Sequence, residues 1–343
     1  MKLRRSVLAL LTLLILPLAM PKAEARDIVD MTGRSVTIPD KVGKIYSASY
    51  PLTLLFYAFA PDLLAAVNLP IGEEERRFFP TILADLPAIG GAPGHGRSVN
   101  PEEVVALHPD FILAWVDPFG DTGATERQWA KSGLPIVYVR LNKLADYPAA
   151  LRFLGDLLGR QSRGEELAAY IELVLARVNK VVRAVPPEQK LSVFYAESPD
   201  GLATECDNSF HLEAIVLAGG QNIHHCVQGA HMGMEKISLE EIILARPSLI
   251  LALNQHFKDK LADMPQWRNV EAVAKNRVYV APHLPINWLD RPPTFMRVLG
   301  VQWLANLFYP ELYPLDVRAE TKKVYRLFLG DDLSDADVDR ILH

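Results

Sequence analysis

Residues 99–115, VNPEEVVALHPDFILAW, and residues 237–253, ISLEEIILARPSLILAL, are two versions of one segment. They align without a gap at an offset of 138 residues and keep Glu-Glu, Pro and Ile-Leu-Ala in register. Solenoid repeats have periods of roughly 20 to 50 residues. The much longer spacing here predicts two similar lobes rather than a stack of repeats.

Each copy predicts the same local structure, a short helix followed by a strand. Asn100 and Ser238 are favourable N-cap residues, and Glu103 and Glu241 follow three positions later, at the spacing of a capping box. A proline then ends each helix. An apolar strand comes next, at 111–115 in the first copy and at 249–253 in the second.

The amino terminus has the pattern of a secretory signal peptide. Basic residues precede an apolar run from Val7 to Met20, and Ala23-Glu24-Ala25 supplies a small-x-small cleavage site. We therefore assign residues 1–25 to a leader removed after Ala25. A membrane anchor is the alternative, but a run of about 14 residues is shorter than the roughly 20 that span a bilayer. No cysteine lies near the cleavage site, so we expect no lipid anchor and a protein free in the periplasm.

The remaining residues, 26–343, are enough for two lobes that each have a core. Without the leader, which contains four basic residues and one acid, the formal net charge changes from -5 to -8. This acidic balance argues against nucleic acid as a partner.

The two cysteines fall in the same predicted lobe, and two interpretations are open. In an oxidising compartment, Cys206 and Cys226 form a disulfide that closes a loop of about twenty residues and stabilises the fold by about 3 kcal/mol. Alternatively, Cys226 joins His224 and His225 in a metal site. The disulfide is favoured, because no second Cys or His occurs at the spacing of a closed zinc site.

Strands and helices alternate in the same order in both halves of the chain. The first half predicts strand 44–48, helix 52–59, the first copy, helix 125–131 and strand 136–139. The second half predicts strand 191–196, helix 209–218, the second copy and strand 277–280. Such alternation predicts an α/β fold with two Rossmann-like lobes, each with a central parallel sheet. We place the lobes at residues 26–145 and 186–343.

The segment between the lobes, residues 146–185, is predicted to be helical. Its second part, residues 164–185, places six apolar residues at helical spacing and contains no proline: Leu167, Ile171, Val174, Leu175, Val178 and Val182. A helix of about 22 residues is about 33 Å long. The segment therefore predicts one long rigid α-helix that bridges the lobes. Two further helices are predicted in the tail, at 293–309 and 320–329.

Together these features resemble a known family. The signal peptide, the opening strand and helix, NPEEVVALHPDFILAW, the bridging helix and LAGGQNI…ISLEEIILARPSLILA are similar to periplasmic binding proteins that serve ABC importers of ferric siderophores, cobalamin and haem. The resemblance covers nearly the whole mature chain. It implies two lobes joined by a rigid helix, with cargo bound in the cleft between them and little hinge motion.

The resemblance also suggests a role for the first acid of each repeated pair. Glu102 and Glu240 stand at the second helical position of their copies. The family uses matching acids on its two lobes to dock on arginines of a dimeric permease, which implies that these two residues dock. The alternative is that both merely interact favourably with a helix dipole, a contribution of roughly 0.3 to 1 kcal/mol each.

Ligands of doubly wound sheets lie beyond the carboxyl ends of the strands. In the first lobe this rule selects Tyr50, Trp115 and Asp117 as ligand-binding candidates. The glycine-rich segment GGAPGHGRS comes just before the first copy, and in the resembled family that loop lines the cleft. This adds His95 and Arg97, for which the alternative is a solvated turn.

Histidines supply the next candidates, in the second lobe. His211 opens a predicted helix, and His231 lies just ahead of ISLEE. Some siderophore-binding relatives place a histidine on the iron from the corresponding loop, although the spacing here differs. Isolated loop histidines are more often only solvated.

The loop HLPINWLDRPPTFMR completes the predicted cleft. Trp288 can stack against a planar ligand, and Arg291 or Arg297 can pair with a carboxylate or catecholate anion. In the alternative interpretation, Asp290 pairs with Arg291 and Trp288 is buried against the following helix.

The predicted function is that of a periplasmic solute-binding component of an ABC importer. No GxSxG, HExxH or Walker motif is present, so no catalytic residue is assigned. We expect a monomer whose partners are an ABC permease dimer with its ATPase and a metal chelate (a ferric siderophore, a corrinoid or a haem-like molecule). It should need no cofactor of its own, bind no nucleic acid and insert into no membrane. The alternatives are a carrier of a naked transition-metal ion held by cleft histidines and a periplasmic enzyme on the same scaffold.

Overall fold

The computed structural model describes residues 24–91, 98–116, 122–227 and 233–342. The predicted leader lies almost wholly outside these ranges and stays a prediction. Within them, no helix is both long and apolar enough to cross a bilayer.

An antiparallel hairpin that the sequence patterns did not predict opens the described chain. Its strands are β1 (Ala25–Val29) and β2 (Ser35–Pro39). The turn between them depends on Asp30, whose carboxylate accepts several backbone hydrogen bonds, and on Gly33, which adopts a φ of +88°. Asp30 also accepts a hydrogen bond from the backbone N–H of Tyr138 at 3.3 Å, which attaches the hairpin to the N-terminal lobe.

The N-terminal lobe is built on a parallel sheet of three strands in the order β3-β4-β5. All five residues of β4 are buried, as expected of a parallel strand covered on both faces. The elements of this lobe are β3 (Ile45–Ser47), α1 (Tyr50–Phe59), α2 (Glu73–Arg76), α3 (Pro101–Ala106), β4 (Phe111–Trp115), α4 (Thr122–Trp129) and β5 (Ile136–Val139).

Two helices follow and lead to the second lobe. α5 (Tyr147–Leu158) ends at Gly159, which has a left-handed conformation, and α6 (Gln161–Ala184) then runs for 24 residues, or about 36 Å. The helices pack closely at Gly164, where a Cβ atom would lie 2.4 Å from the carbonyl oxygen of Leu151. The predicted long bridging helix is confirmed, and its apolar stripe is its buried face.

The C-terminal lobe contains a parallel sheet of four strands in the order β11-β10-β6-β8 and a small antiparallel pair, β7-β9. Its strands are β6 (Ser192–Ala196), β7 (Ala203–Thr204), β8 (Gln221–Asn222), β9 (Glu235–Lys236), β10 (Leu249–Ala252) and β11 (Val278–Val280). The helices that follow α6 are α7 (Glu213–Leu217), α8 (Leu239–Ala245), α9 (Gln255–Lys260), α10 (Glu271–Ala274), α11 (Arg297–Phe308), α12 (Val317–Leu329) and α13 (Asp335–Leu342). α12 packs against α1 of the N-terminal lobe as well as against α11.

The two copies of the repeated segment have the same structure. α3 and β4 in the first lobe correspond to α8 and β10 in the second, and both strands occupy inner positions of their sheets. The capping box of the second copy is present between Ser238 and Glu241. In the first copy, Asn100 accepts a hydrogen bond from the backbone N–H of Glu102 instead. The predicted α/β fold, with two Rossmann-like lobes and a bridging helix, is confirmed.

Candidate functional site

A cavity of about 520 Å³ lies between the lobes, at the carboxyl ends of the strands. Tyr50 reaches it from the N-terminal lobe, and the opposite wall comes from residues 253–255, directly after β10, and from the loop that follows β11. The polar residues of its lining are Tyr50, Asn254, Gln255, His283, Asn287 and Arg291. Ligands of doubly wound sheets lie beyond the carboxyl ends of the strands, so this is the edge at which a ligand is expected.

Tyr50 is the predicted cleft residue whose position fits a ligand contact most directly. It is the first residue of α1 and is half-buried. It lines both the main cavity and a smaller one of about 70 Å³, which also includes Glu75. Burial raises the pKa of the Tyr50 hydroxyl, and the negative charge of Glu75 raises it further. The hydroxyl therefore stays protonated at neutral pH and can donate a hydrogen bond.

The opposite wall presents side-chain amides. Asn254 follows β10, and its Oδ1 atom is buried without a hydrogen-bond partner among the described residues. Asn287 shapes the loop after β11, because its Oδ1 accepts hydrogen bonds from the backbone N–H groups of Leu289 at 2.8 Å and Asp290 at 3.2 Å. An unpartnered buried amide oxygen is costly unless a ligand or water satisfies it.

Arg291 connects the cavity to a group of buried acids. Its Nε donates to Oε1 of Glu197 and its Nη2 donates to Oε1 of Glu205, both at 2.6 Å. The arginine side chain is 13% exposed and both acids are 0% exposed. Arg291 has a φ of +53°, a conformation that non-glycine residues rarely adopt.

The environment of Glu197 favours its protonated form. Burial raises its pKa to about 9, and a hydrogen bond with Glu205 adds to the rise, while Arg291 opposes it. The Oε2 atoms of Glu197 and Glu205 have no partner among the described residues. A proton held between the two carboxyl groups would supply that partner.

His211 belongs to the same network, through Asp290. Its Nδ1 lies 2.5 Å from Oδ2 of Asp290, and that oxygen lies 3.6 Å from Nε of Arg291. The imidazole is 6% exposed and stacks near the ring of Phe210, with centroids 4.0 Å apart. His211 therefore lies behind the cavity wall, and direct contact with cargo stays a prediction.

The two predicted tryptophans lie in the core. Trp288 is 0% exposed and packs edge-on against Trp303, as the alternative interpretation expected. Trp115 is 8% exposed, and its Nε1 donates to Oδ1 of Asn142 at 2.8 Å. In this conformation both faces of the Trp288 ring are covered by neighbouring side chains, so the ring has no exposed surface on which a ligand could stack. A ligand-binding role for either tryptophan stays a prediction.

Arg297 is likewise buried, at the start of α11. It is 1% exposed, pairs with Glu213 and lies 5.7 Å from the ring of Tyr147. Glu213 also accepts a hydrogen bond from the backbone N–H of Leu144 at 2.8 Å. This arrangement joins the C-terminal lobe to the segment before α5. Arg297 does not line the cavity described above, so its ligand-binding role also stays a prediction.

The remaining predicted ligand residues fall outside the described part of the chain. They are His95, Arg97, Asp117 and His231. Glu102 and Glu240 are described, and both are exposed on the first turns of α3 and α8. Their exposure fits a docking surface, and docking itself stays a prediction.

Sequence reasoning missed Glu197, Glu205 and Asn254. Glu197 directly follows β6, and the predicted strand already ended at residue 196, so the expectation of a ligand beyond the strand ends pointed to this loop without singling out the residue. The internal repeat aligns Asn254 with Val116, the residue that follows β4. The alignment therefore marks Asn254 as a residue at a strand end. Glu205 gave no signal, because only tertiary structure brings it to Arg291.

The cysteine pair forms the favoured disulfide between Cys206 and Cys226. Within the described ranges, the one group of three metal-ligating side chains that converge closely is Cys206, His224 and Cys226. These residues do not line the cleft cavity.

Two parallel-sheet lobes, a long helix between them and a polar cavity at their strand ends define a two-lobed solute-binding protein. A family model described as "Periplasmic binding protein" matches residues 92–284, more than half of the chain. The chain belongs to this family of substrate-binding proteins of ABC transporters.

Individual relatives agree with this family. A solved ABC transporter solute binding protein from Sulfurospirillum deleyianum is 32% identical, with a TM-score of 0.86, and the match covers 92% of this chain and 98% of that one. The vitamin B12-binding protein of Vibrio vulnificus is 23% identical over 62% of this chain and 73% of its own length. The molybdate-binding protein of Haemophilus influenzae is 21% identical over 84% of this chain and 86% of its own.

Proposed function

We propose that this protein captures an oxygen-rich metal complex in the cleft between its lobes and delivers it to an ABC permease. The observation that carries the proposal is the cavity of about 520 Å³, with polar groups from both lobes. Its volume falls within the range of about 300 to 1,000 Å³ that is common for small-molecule sites.

The chemistry of the lining favours a chelate with many oxygen atoms. Tyr50, three side-chain amides and Arg291 are hydrogen-bond donors, and carboxylate, catecholate and metal-oxo oxygens accept such bonds. Arg291 is already paired with buried acids, so we expect it to orient cargo by hydrogen bonding more than by net charge. Ferric siderophores, corrinoids and haem-like molecules are the chelates considered, and the two relatives named above bind vitamin B12 and molybdate.

A carrier of a naked transition-metal ion is less well supported. Such a carrier needs about four converging protein ligands. In the described part of the chain, the cleft contains no group of three or more His, Cys, Asp or Glu side chains that converges as a metal site would. His95 and His231 lie outside the described residues. Elemental analysis of protein isolated from periplasm therefore tests this alternative.

The family supports a binding role rather than an enzymatic one, because the relatives are substrate-binding proteins. We extend this role to the chain itself and place the protein in the periplasm, released from its leader and without a lipid anchor. The proposed partners are a permease dimer and its ATPase, with a monomeric receptor that has no cofactor of its own.

The first experiment identifies the cargo. Protein isolated directly from periplasm should show, by native mass spectrometry, one bound molecule that is lost on denaturation, and elemental analysis should show its metal at one equivalent. A metal without an organic chelator or an oxo group would support the naked-ion carrier. Turnover of the bound molecule by purified protein would support the enzyme.

The second experiment tests the cleft, by calorimetric titration with that cargo. Tyr50→Ala and Asn254→Ala should each weaken binding by about tenfold or more, equivalent to about 1.4 kcal/mol. Asn269→Ala is the matched control, because Asn269 is exposed and does not line the cavity. Wild-type affinity in both cleft variants would show that the cargo binds elsewhere.

A further inference from the structure

A second potential binding site lies outside the cleft, where the loop after β7 meets the loop after β8. Cys206 is 1% exposed there, whereas His224 and Cys226 are half-buried. Their ligand atoms, two sulfurs and one imidazole nitrogen, all lie within 4.8 Å of one another. While the sulfurs are bonded to each other, they cannot act as thiolate ligands.

The two loops are held together by contacts that do not depend on the disulfide. The side-chain amide of Asn222 donates to the carbonyl oxygens of Glu205 at 2.9 Å and His224 at 2.7 Å. His225 Nδ1 lies 2.9 Å from Oδ2 of Asp207. These bonds tie the residues on both sides of Cys206 to the segment that carries His224 and Cys226. Opening the disulfide therefore leaves the three ligands close together.

We propose that reduction of the Cys206–Cys226 disulfide creates a zinc-class metal site formed by Cys206, His224 and Cys226. The reductant is a dithiol. It gives two electrons and two protons to the disulfide, forming two thiols, and becomes a disulfide itself. Binding of Zn²⁺ then displaces the two thiol protons, because thiolate is the form that ligates the metal.

The geometry suits a tetrahedral ion. Zn–S bonds of about 2.3 Å at tetrahedral angles place two sulfurs roughly 3.8 Å apart, and a Zn–N bond is about 2.0 Å. The present spread of the ligand atoms, up to 4.8 Å, is close to that arrangement. Three protein ligands leave the fourth position to water. Two thiolates and an imidazole select a soft or borderline ion such as Zn²⁺ over Mg²⁺ or Ca²⁺.

The test uses the full mature protein and Zn²⁺ as the probe. The disulfide is reduced with a phosphine, excess reductant is removed under nitrogen, and bound zinc is measured after desalting. We expect one equivalent of zinc in the reduced protein and none above background in the oxidised protein. Co²⁺ in place of Zn²⁺ should produce a thiolate charge-transfer absorption band.

Variants separate this site from adventitious binding. The double variant C206S/C226S should bind no zinc under either condition, and His224→Ala should weaken zinc binding by at least about tenfold. His256→Ala is the matched control and should stay within about threefold of wild type, because His256 is exposed and is not one of the three proposed ligands. Circular dichroism checks that every form is folded. Equal zinc binding by reduced wild type and C206S/C226S, or an unaffected His224→Ala variant, would overturn the proposal.

Discussion

At the residue scale, the charged groups behind the cleft are buried, and the acids outnumber the one arginine. Arg291 contributes one positive charge, whereas Glu197, Glu205 and Asp290 offer three carboxyl groups with 0% exposed side chains. An uncompensated buried charge costs several kcal/mol. A proton on Glu197 removes one negative charge from this group. The net charge of this group therefore depends on pH.

The first prediction concerns this proton. The pKa of Glu197 is raised from 4.5 to about 9 by burial, so its contribution to stability is complete below pH 4.5 and is lost as pH rises through about 9. Glu197→Gln mimics the protonated acid. The free energy of unfolding in urea should therefore fall less steeply from pH 5 to pH 9 in this variant than in wild type.

The control is Glu311→Gln, which changes an exposed glutamate and should keep the wild-type pH dependence. Identical slopes for wild type and Glu197→Gln would show that Glu197 does not hold the proton.

At the element scale, the sequence predicted most of the secondary structure and less of the site. The repeated segment located β4 and β10 to within one residue, because continuous apolar runs between a proline and a polar loop leave few alternatives. The predicted end of the strand at 44–48 led to Tyr50. The burial of Trp288 and the convergence of Glu205 on Arg291 depend on packing between distant segments, which no local pattern records.

The second prediction concerns the bridging helix α6. Leu167 is 0% exposed, whereas Leu173, on the same helix, is 51% exposed. Leu167→Ala should lower the free energy of unfolding by about 2 to 5 kcal/mol, because it leaves a cavity in the core. Leu173→Ala should change it by less than about 0.5 kcal/mol. Chemical denaturation measures both, and equal losses would mean that α6 does not bury the face described.

At the scale of the whole molecule, the largest apolar cluster extends through both lobes. The largest apolar cluster contains Leu113 of the first sheet, Ile171 of α6 and Leu251 of the second sheet. Close-packed interiors resist continuous deformation. A hinge between the lobes would have to break contacts within this cluster, so the fold favours small relative motion.

The third prediction follows from this cluster. Small-angle scattering should give radii of gyration for the free and cargo-loaded protein that agree within the error of replicate samples. A decrease of about 1 Å or more on loading would show closure of a hinge and would contradict the rigid bridge.

The fourth prediction concerns docking, which involves both lobes at once. The helices α3 and α8 each precede a strand of their sheet, and helices in such α/β units run antiparallel to the strands. The first turns, with Glu102 and Glu240, therefore lie at the strand ends that also form the cleft. A permease that covers the cleft would meet one exposed acid from each lobe.

Reversing both charges, with Glu102→Lys and Glu240→Lys, should abolish uptake of the periplasmic cargo in cells while leaving its affinity for the purified protein unchanged. The loss follows from repulsion between each lysine and a basic pocket of the permease, which costs more than removal of the acid alone. Glu188→Lys with Glu311→Lys is the matched control, since it makes the same change of charge at two other exposed acids. Normal uptake by the docking variant would show that the permease recognises another surface. Weakened affinity of the purified variant for the cargo would mean that these acids contribute to cargo binding instead.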